Sequence, residues 1–561
     1  MGGTTTTKAS QASGYRRPTR YAKSGCRTCK IRHIKCDEEK PACRKCTNSG
    51  RVCDGYGRTG RPRYLLISRN PGPFPGVAPE ERSSLDYFRY APALKLTGLF
   101  KSEFWDSLVL QTCFAESSVL HAIVALAAAH RSRFSPWGNE KAASAKSYDS
   151  FALIQYNKAI KSLTTHVTAA DIESVRIAII SSIVFVCLDM LRGEYNSMNM
   201  HFQHGIRLLN LLQSSGKGLR QARHIFVQQN PQSTDEHLIH AFARLHLQFM
   251  MLGSGLFDDD ALFTPAFVYG HQQISVPRIF SIVQEARRSL DQILSSVIQL
   301  ALKFAADHIS SAAYLPPLSP TLLKQQEALK LTLQDWIEAF DSPLSLGTAQ
   351  TSRYGELALR VLRIHWTMAT ILLSTCFATK ETAFDSHTSA FESIINQIEA
   401  LGAVVANTPQ HIGPTKANNN FCQIGASFSI DLGCYAPLYF TALKCRVPHI
   451  RRHAISILQQ CKHTEGVWTG PVLARLATCV VDTEERDFST ALYSDSQENK
   501  PSFTLPEYSR FYCVRCVLPK ESRDAKPKKR TVGTLICHRF CHELGKDGGW
   551  VSKSYDIDFN P

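Results

Sequence analysis

Six cysteines carry the densest chemistry in the chain: Cys26, Cys29 and Cys36, then Cys43, Cys46 and Cys53 at the same internal spacing. A Cys-x2-Cys pair brings two thiolates within reach of one tetrahedral zinc, at bonds of about 2.3 Å. Six thiolates could serve one zinc with two left over, or two zincs that together need eight bonds. In the second case two cysteines must bridge, and the symmetry of the half-units points to the leading one of each, Cys26 and Cys43. One zinc then takes Cys26, Cys29, Cys36 and Cys43, and the other Cys26, Cys43, Cys46 and Cys53. With sulfur at every position no site stays open for water or substrate, so the metals are structural. Their binding energy is folding energy.

Charge is concentrated around the same segment. The 561-residue chain has 64 Lys and Arg against 48 acidic residues, and residues 1–70 alone hold 17 Lys and Arg against four acids. The rest is nearly neutral, which describes a basic nucleic-acid-binding head on an ordinary globular body. A basic membrane-surface arm would need an apolar face, and this head has none.

The string Gly25-Cys26-Arg27-Thr28-Cys29-Lys30-Ile31-Arg32-His33-Ile34-Lys35-Cys36-Asp37, with Lys40-Pro41-Ala42-Cys43, resembles the DNA-binding domain of fungal binuclear zinc cluster transcription factors. The resemblance implies two zincs per chain with the same two bridges. It also implies a short helix after the second cysteine that enters the major groove of double-stranded DNA, which places Lys30, Arg32, His33 and Lys35 in the groove. The family reads GC-rich triplets of CGG type through adjacent basic residues at the positions of Arg32 and His33. Histidine is a weaker, conditionally charged donor, while Arg32 can make the bidentate guanine contact. Lys23, Arg27, Lys45 and Arg51 are candidates for phosphate contacts or for plain solvated charge.

Positioning these residues falls to a modular chain that is mainly α. Residues 1–20 form a basic tail and 21–56 the zinc cluster. Eight of the twenty residues from Gly57 to Gly76 are Gly or Pro, which excludes a continuous helix or strand and makes 57–79 a flexible linker. From 80 to 492 the pattern is helical, with segments such as Phe104–Arg131, Ser174–Leu191, Thr234–Met251 and Ser352–Cys376. This predicts an all-α body, and it resembles the family's fungus-specific regulatory domain at Ser102-Glu103-Phe104-Trp105 and from Phe185 to Tyr195. In the extension 493–561, Phe511–Val517 and Thr531–Ile536 suggest a short β pair. The linker cannot supply the coiled coil by which many family members dimerise, so the protein binds as a monomer or the body dimerises.

Other motifs have plainer readings. Arg58 and Gly60-Arg61-Pro62-Arg63 approach a minor-groove hook, but Thr59 interrupts it and a solvated linker serves as well. Lys526-Pro527-Lys528-Lys529-Arg530 fits a nuclear import signal or an exposed turn. Leu256 to Phe263 mixes acids with apolar residues as activation segments do, and also suits an interhelix loop. Cys513, Cys516, Cys537 and Cys541 with His538 and His542 suggest a second zinc site or buried thiols. The N-terminus fits a myristoylation pattern through a threonine run.

There is no secretory leader pattern, no membrane span is expected, and the thiols should be reduced. No phosphate-binding loop, nucleophile elbow or His-Glu-x-x-His pair occurs, so no catalytic residue is assigned and an enzyme in the helical body is the remote alternative. The expected function is a nuclear, sequence-specific transcription factor of RNA polymerase II genes, working with the transcription machinery. By resemblance it activates a metabolic or secondary-metabolite gene cluster. A repressor and a nonspecific nuclear DNA-binding protein are the alternatives.

Overall fold

The computed structural model describes residues 2–3, 25–26, 28–29, 34–39, 42–49, 53, 77–90, 96–134, 142–166, 171–214, 224–252, 267–269, 274–310, 318–347, 353–406, 428–492, 505–519, 531–541 and 549–559. It forms two compact units, Met1–Asn70 and Pro71–Pro561.

The larger unit is built from helices that the apolar pattern anticipates closely. Thr234–Met251 keeps the predicted bounds because Ser233 and Glu236 form a reciprocal capping box at its start. Ile172–Arg192 begins where Asp171 accepts the Ser174 amide at 2.7 Å and ends where Gly193 turns left-handed at φ 75°. The long segment from Phe104 is not one helix. It divides into a π turn Phe104–Leu108, a helix Val109–Ala115 and a helix Ser117–Phe134, with extended backbone at Glu116 between the last two. Further helices include Pro79–Tyr90, Ala142–His166, Val283–Ser310, Pro320–Asp341, Arg353–Thr375, Thr388–Ala406, Tyr435–Lys444, Pro448–Gln460 and Gly470–Leu492.

Two helices, Ile172–Arg192 and Tyr354–Thr375, are long and apolar enough to cross a membrane by composition. The first is the centre of the core, with every residue from Ile177 to Leu191 buried. It packs on Tyr195–Ser214 and Ser117–Phe134, so its all-round hydrophobicity is met by protein. Close approach is built in at Gly205, where a Cβ would sit 2.1 Å from the Phe242 ring.

The C-terminal segment forms three antiparallel strands, Cys513–Val517, Val532–Cys541 and Gly549–Asp558, where sequence suggested a pair. Leu535, Cys537, Ile557 and Phe559 join the apolar core of the helices. A buried charge network joins this segment to them as well. Glu484, fully buried, meets Arg446 at 3.0 Å and Arg451 at 2.8 Å and accepts the Phe511 amide at 2.8 Å. Arg510 pairs with Asp385 at 2.7 and 2.8 Å, and Glu507 accepts the amides of Glu381 and Thr382.

Candidate metal centre and nucleic-acid interface

In the smaller unit the cysteines themselves are the core. Cys26, Cys29, Cys36, Cys43 and Cys46 are buried, with Cys53 and Ile34 packed against them. The Sγ atoms of Cys26 and Cys43 lie 3.5 Å apart, Cys26 and Cys46 3.7 Å, Cys29 and Cys43 3.6 Å, and Cys29 and Cys46 3.9 Å. A tetrahedron of sulfurs around zinc at about 2.3 Å has edges of ~3.8 Å, so these separations fit thiolate ligation of zinc.

The repeat seen in the sequence is a repeat in space. The Cys26 amide donates to Cys36 Sγ at 3.3 Å, and the Cys43 amide to Cys53 Sγ at 3.5 Å, ten residues on in each half. The Cys29 amide donates to Cys26 Sγ, and the Cys46 amide to Cys43 Sγ in the same way. Cys26 and Cys43 occupy equivalent positions, and each touches thiols of both halves. The quartet Cys26, Cys29, Cys43 and Cys46 is the tightest group, with Cys36 approaching Cys43 beside it.

Burial pushes the Cys26 and Cys29 thiols up, and Cys43 up to about 12. Thiolates in this cluster therefore need a cation, and loading it with metal must release protons.

Asp37 organises the second half. Its carboxylate accepts the amides of Arg44 at 2.8 Å and Lys45 at 3.2 Å, opening the short helix Arg44–Thr47 that Cys43 leaves uncapped. These two amides outweigh partial desolvation and hold the carboxyl below its usual range. Arg44 also pairs with Glu39 across this turn, one bond at 2.8 Å. Motif spacing does not disclose these acid roles; the signal was an acid directly after Cys36.

Of the residues assigned to the groove, Lys35 is exposed beside Cys36. Thr28 and Cys29 are helical, directly before the segment expected to enter the groove. Lys30, Arg32 and His33 lie outside the described residues, as do Lys23, Arg27 and Arg51, the segments 57–76, 256–263 and 526–530, and Cys422 and His542. Lys45 is exposed on the helix Arg44–Thr47.

The C-terminal cysteines resolve differently from the motif. A strand alternates its side chains, so Cys513 and Cys516, three apart, face opposite sides of the sheet. Cys516 and Cys537 face the core, while Cys513 stands opposite His538 on the other face. A Cys-x2-Cys on a strand cannot chelate as one on a turn does. Cys113, Cys187, Cys376, Cys434 and Cys445 are buried thiols; Cys461, buried too, is disulfide-bonded, which departs from reduced thiols throughout.

Residues 24–62 match the fungal Zn(2)-Cys(6) binuclear cluster domain, and residues 85–346 match the fungal specific transcription factor domain. Over 83% of this chain and 88% of the relative, the sequence is 23% identical to the aspercryptin biosynthesis cluster-specific transcription regulator atnN of Emericella nidulans. It is 25% identical to the transcription regulator lscL of Purpureocillium lilacinum over 32% of this chain and 47% of that one. Sterol uptake control protein 2 of Saccharomyces cerevisiae is 52% identical over 8% of this chain and 5% of its own length. No solved structure matches the chain. The six cysteines are thus a binuclear cluster for two zinc ions, and the smaller unit is a DNA-binding module.

Proposed function

We propose that this chain, which belongs to the fungal Zn(2)-Cys(6) transcription regulators, reads GC-rich triplets of CGG type in the nucleus and activates a biosynthetic gene cluster. The observation that carries the pathway is likeness along most of both chains to a biosynthesis cluster-specific regulator, far longer than the 42-residue match to a sterol uptake control protein. Cys26 and Cys43 bridge the two zincs. Lys30, Arg32, His33 and Lys35 face the bases, with Arg32 as the bidentate reader, and Lys45 meets phosphate. Residues 21–56 act as the reading head, 57–79 tether it, and 80–492 regulate. When bound, the zincs supply the fold of the head, and the protein's basic side chains supply recognition.

The test is selection from a randomised DNA library, followed by genome-wide binding and transcript profiling of a deletion strain. Arg32→Ala should cost ~1–3 kcal/mol and relax base choice at one position, whereas Lys45→Ala should weaken all sequences alike and reduce the salt dependence. Identical behaviour of the two variants across the library removes Arg32 as the specificity residue. Occupied promoters whose transcripts rise in the deletion strain would make the protein a repressor.

A further inference from the structure

A cavity of about 110 Å³ opens between the segment after strand Ile225–Val227 and the first turns of the helix Val283–Ser310, lined by Gln229, Asn230, Glu285, Arg288 and Ser289 among others. Its walls hold donors with nothing to donate to. Ser289 is 2% exposed and its Oγ has no hydrogen-bond partner, and the buried Nε of Arg288 has none either. Two of the acceptors nearby already have donors. Glu285 Oε2 takes the Ser281 amide at 2.9 Å, and the Ser275 carbonyl takes the Gln229 side-chain amide.

The cavity wall carries one cation, Arg288, and one carboxylate, Glu285. Among the described residues no carboxylate lies within ion-pair distance of Arg288. Burial outweighs the attraction of Glu285 and holds the guanidinium below its ordinary value. Burial lowers His237 and pushes His240 down to about 4, and the Arg288 charge adds to both shifts. An unpaired guanidinium Nε and a buried hydroxyl without an acceptor are costly unless an acceptor fills the space between them. The volume holds a few heavy atoms, against the roughly 30 Å³ a water takes in the liquid. The Glu285 carboxylate at the wall favours a single negative charge over two.

We infer that this cavity binds a small monocarboxylate, whose oxygens accept from Arg288 and Ser289, and that the regulatory body therefore carries a site for an anionic metabolite. Neither side chain belongs to the zinc or DNA machinery, so the site is independent of the reading proposed above.

The test uses the full, zinc-loaded chain. Thermal unfolding of the helical unit and titration calorimetry are followed with sodium acetate, with its neutral isostere acetamide and with sodium phosphate, at matched ionic strength in chloride. Acetate should bind saturably and raise the melting temperature, acetamide should not, and phosphate should bind several-fold more weakly. Arg288→Gln should weaken acetate about tenfold or more, because it removes a charge-assisted hydrogen bond. Glu285→Gln, which keeps an acceptor for the Ser281 amide, should tighten acetate several-fold, and this opposite sign decides the matter even if Arg288→Gln does not fold. Equal responses to acetate and acetamide, no saturable acetate response, or an Arg288→Gln protein that binds acetate normally would each reduce the cavity to a water site. Phosphate binding tighter than acetate, or a Glu285→Gln protein that does not gain affinity, would overturn the monocarboxylate assignment.

Discussion

In the unit Met1–Asn70 the core described is one of cysteines with Ile34 beside them, whereas in Pro71–Pro561 one apolar core runs from Leu85 to Phe559. Below about 40 residues a chain cannot bury enough apolar surface to offset its conformational entropy, and metal ligation takes over. The larger unit has no such need and draws its stability from packing. Spacing is the constraint in the first case and apolar content in the second. Ligand spacing tolerates little change, and one match of 42 residues reaches 52% identity, while the match along most of the chain stands at 23%. A core accepts many hydrophobic combinations of similar volume.

Metal removal should break this contrast most sharply. With a strong chelator, the head should lose its fold and DNA affinity should fall by orders of magnitude, since zinc ligation supplies most of its folding energy. The helical unit should melt at nearly the same temperature. Zinc titration with circular dichroism should give two ions per chain. Cys26→Ser and Cys43→Ser, each serving both metals in the bridged arrangement, should leave fewer ions than Cys53→Ser, which should retain one. A stoichiometry of one ion would instead single out the quartet Cys26, Cys29, Cys43 and Cys46 as a lone tetrahedral site.

A second test strikes the body alone. Glu484 has two guanidiniums and a backbone amide on one buried carboxylate, and it ties the helix Gly470–Leu492 to the C-terminal segment. Hydrogen bonding and the Arg446 and Arg451 charges overcome desolvation and keep its carboxyl low. Glu484→Gln leaves Arg451 without its carboxylate, while Arg446 keeps Glu381 at 2.8 Å, and should cost ~3–5 kcal/mol in urea unfolding, with zinc content and DNA affinity of the head unchanged. A loss under ~1 kcal/mol would mean that the sheet is held by its apolar face alone.

These two regions also differ in how much of them could be read in advance. The head's ligand set is written in six spacings, and the helices of the body follow from apolar periodicity and caps such as Ser233 and Asp171. The third strand, Gly549–Asp558, was hidden because only Ile557 of it is buried and Ser552, Lys553, Ser554, Asp556 and Asp558 give it a polar text, although it pairs along the preceding strand Val532–Cys541. The network around Glu484 was invisible because its contacts are non-local. Its members Arg446, Arg451 and Phe511 lie 27 to 38 residues away and read individually as a charge or an apolar residue. Cys513 and Cys516 misled in the opposite direction, since spacing alone does not say whether a Cys-x2-Cys pair sits on a turn or on a strand.

The smallest effect expected concerns protons. In the head, raising pH frees thiolates and strengthens zinc binding. In the body, burial pushes His130, His201, His240 and His246 down to about 4 each. The unfolded chain titrates these near 6.5 and so binds more protons than the folded one in between. Stability therefore rises with pH across that window and is lost as pH falls from about 6.5 towards 4. Asp291 works against this trend. Burial pushes its carboxyl up to about 7 although Arg244 pulls it down, with Arg244 at 4.0 Å and Arg287 at 3.6 Å. The folded chain then holds a proton that the unfolded chain releases near 3.9, so this contribution declines as pH rises from about 4 to 7. Asp291→Asn removes the opposing titration. The stability of the body should then climb more steeply between pH 4.5 and 6.5, by about one proton or ~1.4 kcal/mol per pH unit, in urea unfolding followed at several pH values. An unchanged slope would mean that Asp291 stays ionised between its two arginines, and that the body owes its response to acid to the histidines alone.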